Sequence, residues 1–80
     1  MKRTGTKAGV PDIFWPVARG RYHGLFIEMK RAGVTKPSKE QAEWIEALEE
    51  QGYCCRVCSG CADALAVAQA YDALDSHPVP

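Results

Sequence analysis

Residues 24–30 alternate in the strand sense. Leu25, Ile27 and Met29 fall on one side, and Phe26, Glu28 and Lys30 on the other. A period of two is the mark of a strand. Val10 to Trp15 is a second short strand. Between them, Pro16 to His23 holds a proline, two glycine-flanking arginines and no period, so it reads as a loop. The two strands are expected to pair as an antiparallel hairpin. Residues 1–9 are polar and contain glycine, and read as an arm or loop.

After the break at Ala32 to Pro37 the period lengthens. Ser38-Lys39-Glu40-Gln41 is a capping box, with Ser38 as N-cap and Gln41 reaching back from the third helical position. Gln41, Trp44, Ile45 and Leu48 then recur on one helical face, and the apolar three are expected in the core. Glu43, Glu46, Glu49 and Glu50 lie mostly away from it, as a solvated face. Gly52 is a natural stop. Tyr53 to Cys58 is a third strand. Ser59 can cap a last helix running to about Leu74, with Ala64, Val67, Ala68 and Tyr71 as its core stripe. Residues 77–80 read as a frayed tail. The order is β-β-α-β-α. A strand that follows a crossover helix is expected parallel to its predecessor. The fold expected is a small α/β domain, a mixed sheet flanked by helices.

Eighty residues make one domain with a thin core. Help from a partner subunit, a metal or disulfides fits that size. No stretch approaches the roughly 18 apolar residues that cross a bilayer, and no apolar run follows the basic start, so no signal peptide is expected. An intracellular, cytoplasmic protein of bacterial or phage origin is the expectation. The formal net charge of zero conceals a division. Residues 1–39 carry nine Lys or Arg against only Asp12 and Glu28, a net +7, and residues 40–80 carry Arg56 against eight acids, a net −7. Such asymmetry suggests one face for a polyanion and one for water, although chance segregation on a surface gives the same count.

The hairpin carries the candidate chemistry. Asp12 opens the first strand after Pro11, and Glu28 and Lys30 share one face of the second. If Asp12 pairs near Glu28, two carboxylates and an ammonium converge. Two close carboxylates repel, and a divalent cation with oxygen ligands answers that repulsion. A solvated strand face with an ordinary turn aspartate is the plainer reading of these three residues taken alone.

The flanking residues change that balance. Gly9-Val10-Pro11-Asp12-Ile13-Phe14, then Tyr22-His23-Gly24-Leu25-Phe26-Ile27-Glu28-Met29-Lys30-Arg31, closely resemble the VRR-NUC family of the PD-(D/E)XK nuclease superfamily. Ser38-Lys39-Glu40-Gln41, Trp44, Leu48 and Gly52-Tyr53 fit its downstream pattern. The resemblance covers roughly residues 5–72 and points to a small standalone, virus-type member with a restriction-endonuclease-like core. It implies a Mg²⁺- or Mn²⁺-dependent endonuclease acting on branched DNA such as junctions or flaps, working as a homodimer. It implies Asp12, Glu28 and the backbone carbonyl of Met29 as metal ligands, Lys30 as the catalytic lysine, and Gln41 as a helix glutamine close to the site. Gln41 is also explained by the capping box alone. For DNA contact the expected residues are Lys7, Arg19, Arg21, Arg31 and Lys36, with phosphates as their target. The family pattern has one further piece, a helix ahead of the first motif with an acidic residue that reaches the site. None of the eleven residues before Asp12 is acidic. The chain is then a shortened form, or another group replaces that carboxylate, or it binds DNA without turnover.

Cys54, Cys55, Cys58 and Cys61 cluster within one strand and the turn after it. Zinc or redox chemistry is one reading. Strand alternation sends adjacent Cys54 and Cys55 to opposite faces, which favours the other, small apolar filling.

Overall fold

The computed structural model describes residues 11–31, 33 and 36–75, together with the backbone of residues 2–3. Its elements are β1 (Lys2–Arg3), β2 (Ile13–Trp15), β3 (Leu25–Lys30), α1 (Lys39–Glu50), β4 (Cys54–Ser59) and α2 (Cys61–Asp72). The sheet runs β1-β2-β3-β4. β2 is antiparallel to β1 and β3, and β4 is parallel to β3. The β-β-α-β-α order and the parallel third main strand are as expected from the sequence. The arm adds a piece that was not: Lys2 and Arg3 pair with Phe14 and Ile13 as a two-residue edge strand.

Two boundaries move for local reasons. The first main strand begins at Ile13. Pro11, which has no N–H for a ladder, lies outside it. Ser59 does not cap α2 but closes β4, and Gly60, at φ +89°, takes the N-cap position without a side-chain bond. The Asp63 carboxylate instead reaches back from the first turn and accepts the Ser59 N–H at 2.9 Å.

The core lies between the sheet and α2. Leu25, Ile27, Cys54, Cys58 and Tyr71 are buried there, with Ile13, Trp15, Met29, Ala64 and Val67 packed against them. Trp15 therefore belongs to this layer, its ring 5.9 Å from that of Tyr71. The Tyr71 hydroxyl donates to the Val17 carbonyl at 2.6 Å, and Arg19 pairs with Asp72 at 3.1 Å. These bonds tie the hairpin loop to the end of α2. At the same end of the sheet, Gly52 (φ +91°) lies so close to His23 that a Cβ would come within 2.7 Å of its ring. Only glycine suits that turn.

The second layer departs from expectation. No residue of α1 is buried, and Trp44 is 37% exposed. Among the described strands, α1 packs mainly on β4, and its Gln41 reaches Glu28 of β3. Its apolar stripe is thus half covered. The side of β2 and β3 that looks away from α2 carries the charged residues of the hairpin, and α1 reaches it at Glu28 through Gln41.

Candidate active site

The antiparallel register pairs Ile13 with Ile27, Phe14 with Phe26 and Trp15 with Leu25. Continued by one step, it sets Asp12 opposite Glu28, and by two, Pro11 opposite Met29. Pro11 has no N–H to offer the ladder. Separately, the Asp12 Oδ2 accepts the Met29 N–H at 2.9 Å, and this bond orients Asp12 toward β3.

Glu28 is only 5% exposed, the one buried charged side chain among the described residues. Its Oε2 accepts from Gln41 Nε2 at 2.7 Å. Its Oε1 is buried and has no hydrogen-bond partner among the described residues. Burial first, and then the neighbouring Asp12 carboxylate, push the Glu28 carboxyl from 4.5 up to about 7, while the Lys30 ammonium pulls it down. The two effects agree physically. With both carboxylates ionised, Oε1 lacks a donor and faces a like charge. A proton held between Glu28 and Asp12 meets both needs, and so does a cation. A donor set of two carboxylates with one orphaned oxygen fits a hard divalent ion.

Gln41 performs two tasks at once. Its N–H donates to Ser38 Oγ at 3.2 Å, and its Oε1 accepts the Ser38 N–H at 2.8 Å, completing the capping box. The other end of the same amide donates to Glu28. Gln41→Glu separates the tasks, since a carboxylate still caps the helix but cannot donate. At about pH 8 the variant is expected to lose about 1–3 kcal/mol, because Glu28 Oε2 loses its donor and gains a like charge. Near pH 4, with carboxyls protonated, the loss should largely vanish. Thermal melts at both values check this, and equal melting of variant and parent at pH 8 would remove the Gln41–Glu28 bond from the account.

The other expected contacts divide by position. Arg31 follows Lys30 directly, and Lys36 lies between β3 and α1; both are exposed near the carboxylate end of β3. Arg21, also exposed, sits with Arg19 in the hairpin loop at the other end, six strand residues or about 20 Å away. The Arg19 guanidinium there is engaged with Asp72 and the Ala18 carbonyl. Lys7 lies outside the described residues. The cysteines do not converge: Cys54 and Cys58 belong to the α2-side core, while Cys61 is exposed on α2. Burial pushes the Cys55 thiol up to about 12 and raises Cys54 and Cys58 as well. Among the described residues no group of three or more His, Cys, Asp or Glu is arranged to hold a metal ion. Phe14 and Phe26, two positions from Asp12 and Glu28, share the carboxylate face; the period-two spacing carried that signal in the sequence.

A family model of the VRR-NUC domain matches residues 1–62. A solved structure described as a VRR_NUC domain protein superposes with a TM-score of 0.82 at 43% sequence identity, covering 90% of this chain. The chain spans 59% of the length of that relative. No curated protein matches the chain. No described helix is long and apolar enough to cross a membrane. With the family model covering most of the chain, and a structural relative of this identity matching 90% of it, the chain belongs to the VRR-NUC family and has its nuclease-type fold.

Proposed function

We propose that the protein is a DNA endonuclease that hydrolyses phosphodiester bonds with Mg²⁺ or Mn²⁺, and that branched DNA is its substrate. The observation that carries this reading is the buried, unpartnered Glu28 Oε1 beside Asp12. An acid so placed is costly unless something positive meets it. Asp12, Glu28 and the Met29 carbonyl are the groups that would hold the ion. Such an ion supplies positive charge to the scissile phosphate and acidifies water at neutral pH.

The chain's own residues have separate parts in this reading. Gln41 holds Glu28 Oε2 and leaves Oε1 to the ion. The Met29 N–H holds Asp12. Lys30, two positions along β3 on the face of Glu28, lowers the Glu28 pKa, and in this reading its ammonium serves the reaction centre. There it orients the attacking water or offsets the charge that builds on phosphorus as the water oxygen attacks and the ester oxygen leaves. Arg31 and Lys36, with Lys7, are positioned in sequence to neutralise flanking phosphates, so binding should weaken as salt rises.

A second copy of the chain is the proposed partner. In support, α2 is apolar around much of its circumference, with no charged residue between Asp63 and Asp72 and with Leu65 59% exposed. Sedimentation that finds a folded monomer at micromolar concentration removes that part.

A DNA-binding module without turnover is the second reading, favoured by the Glu28 carboxyl, which, raised to about 7 beside Asp12, can hold a proton in place of a cation. One assay separates the two. Four-way, flap and fully paired DNA are incubated with Mn²⁺, and with chelator. The nuclease reading expects internal cuts that need the metal and favour the branched forms. DNA retained but uncut at saturating Mn²⁺ decides for the binding module.

A further inference from the structure

The face that carries Asp12 and Glu28 also carries an aromatic row. Phe14 is two positions from Asp12, and Phe26 is two positions from Glu28. Alternation puts all four side chains on one side of the hairpin, with about 7 Å between the Cα atoms of each such pair. Phe14 and Phe26 are directly cross-strand. Their rings stack, with centroids 4.4 Å apart and planes 19° from parallel. Tyr53, just before β4, meets both edge-on at 6.0 and 5.4 Å. The Phe14 ring lies over Gly24, where a Cβ would come within 2.9 Å of it. Bare backbone at that position lets the ring settle against the sheet.

An aromatic cluster ordinarily belongs to a core, and this protein has its core elsewhere. The buried cluster lies on the α2 side. Phe14, Phe26 and Tyr53 are each half-buried, and α1 reaches this face of β3 at Glu28, through Gln41. Apolar ring surface left in water is unfavourable, so the row has something to gain from a flat apolar occupant. Its neighbours limit what that occupant is. One step along the strands stands a carboxylate pair suited to a cation, with Lys30 beside it and the exposed Arg31 next in sequence. A ligand with a phosphate at one end and a flat ring about one nucleotide away meets all of these groups together.

We propose that Phe14, Phe26 and Tyr53 form a stacking surface for an unpaired nucleobase adjoining the phosphate that a cation at Asp12 and Glu28 would hold. The proposal rests on the nuclease reading for what occupies this face. It accounts for selection of unpaired DNA through shape and stacking, since a base paired within a duplex keeps its faces covered by its neighbours. Ring–base stacking is tolerant of sequence because every base has a π-face.

The test uses two DNAs with Ca²⁺ in place of Mn²⁺, so that a hard divalent ion fills the carboxylate site: a duplex bearing a short flap with 2-aminopurine as its first unpaired base, and the fully paired duplex of equal length. The 2-aminopurine fluorescence is expected to fall when the unaltered protein binds the flap. Phe26→Leu keeps the apolar volume but removes the ring. It is expected to abolish the quench and to weaken flap binding roughly tenfold more than duplex binding, within the ~5- to 150-fold range of a lost ring–base contact. Phe26→Tyr restores both. Absence of quenching by the unaltered protein overturns the proposal, whether or not the leucine variant folds. An equal loss of flap and duplex affinity in a folded Phe26→Leu protein overturns it as well. Exchanging Ca²⁺ for Mn²⁺ keeps the two ideas apart. Quenching without cleavage sinks the nuclease reading and leaves the stacking surface standing. Cleavage without quenching does the reverse.

Discussion

Lys30→Ala is expected to slow DNA cleavage by about 10²- to 10³-fold, the usual cost of removing one group that stabilises charge in a transition state. Lys30 ends β3 and is half-buried, so its loss should change folding stability little. It lowers the Glu28 pKa, and removing it leaves Glu28 a still weaker acid. A few-fold loss of Mn²⁺ affinity should follow near neutral pH, far less than the loss of rate. That split is the diagnostic. A merely structural lysine would reduce melting temperature and rate together. Lys30→Arg keeps the charge but replaces a compact ammonium with a wide, always-protonated fork. Partial rescue by arginine assigns the lysine to charge stabilisation, and no rescue assigns it to handling a proton on water. The measurement is single-turnover cleavage at saturating Mn²⁺, with a thermal melt of each variant. Full activity in a folded Lys30→Ala protein removes Lys30 from the chemistry.

The second large effect is on metal binding as a function of pH. Glu28 must lose its proton before it can serve a cation, and burial beside Asp12 sets that loss at about pH 7. Below that point each pH unit is expected to weaken Mn²⁺ affinity about tenfold, roughly 100-fold between about pH 7 and pH 5. Above it the affinity should level off. Titration calorimetry in buffers of different ionisation heat reads the matching proton release, close to one per ion at about pH 6. The metal-free protein follows the opposite course. The folded state holds the Glu28 proton more tightly than the unfolded chain does. The stability linked to that proton is therefore full below 4.5 and declines as pH rises through about 7. Asp12→Asn tests both signs in one variant. The asparagine oxygen still accepts the Met29 N–H, but the charge facing Glu28 is gone. The variant should be more stable than the parent near pH 8 without metal, and should bind Mn²⁺ more weakly. Affinity independent of pH between about 5 and 7 would show that Glu28 is not a ligand.

Much of the site was readable before any coordinates. Asp12, Glu28 and Lys30 could be set on a hairpin because two short runs and a loop between them carry strand and turn chemistry that is local. The capping box at Ser38 was equally local, and the structure has both of its bonds. What could not be read was Gln41 turning its free amide end to Glu28, because the two are thirteen residues apart and meet only when α1 has docked. The same limit explains the misplaced core residues on α1. Periodicity identified an apolar stripe at Trp44, Ile45 and Leu48, but it carries no information on how wide a surface the helix will find, and α1 packs mainly on β4. The cap of α2 failed for a smaller reason: Ser59 ends β4, and its hydroxyl donates to the Arg31 carbonyl rather than accepting from the helix.

Two kinds of information thus separate in this protein. Element order, the antiparallel hairpin, the parallel fourth strand and the alternation that sends Asp12, Phe14, Phe26, Glu28 and Lys30 to one face follow from residues close together in the chain, where backbone sterics and side-chain period act directly. The depth of Glu28, the bare oxygen it keeps, its high pKa and the open aromatic face beside it came from packing. Burial and pairing depend on which distant surfaces arrive and which do not, and no local pattern of residues encodes that.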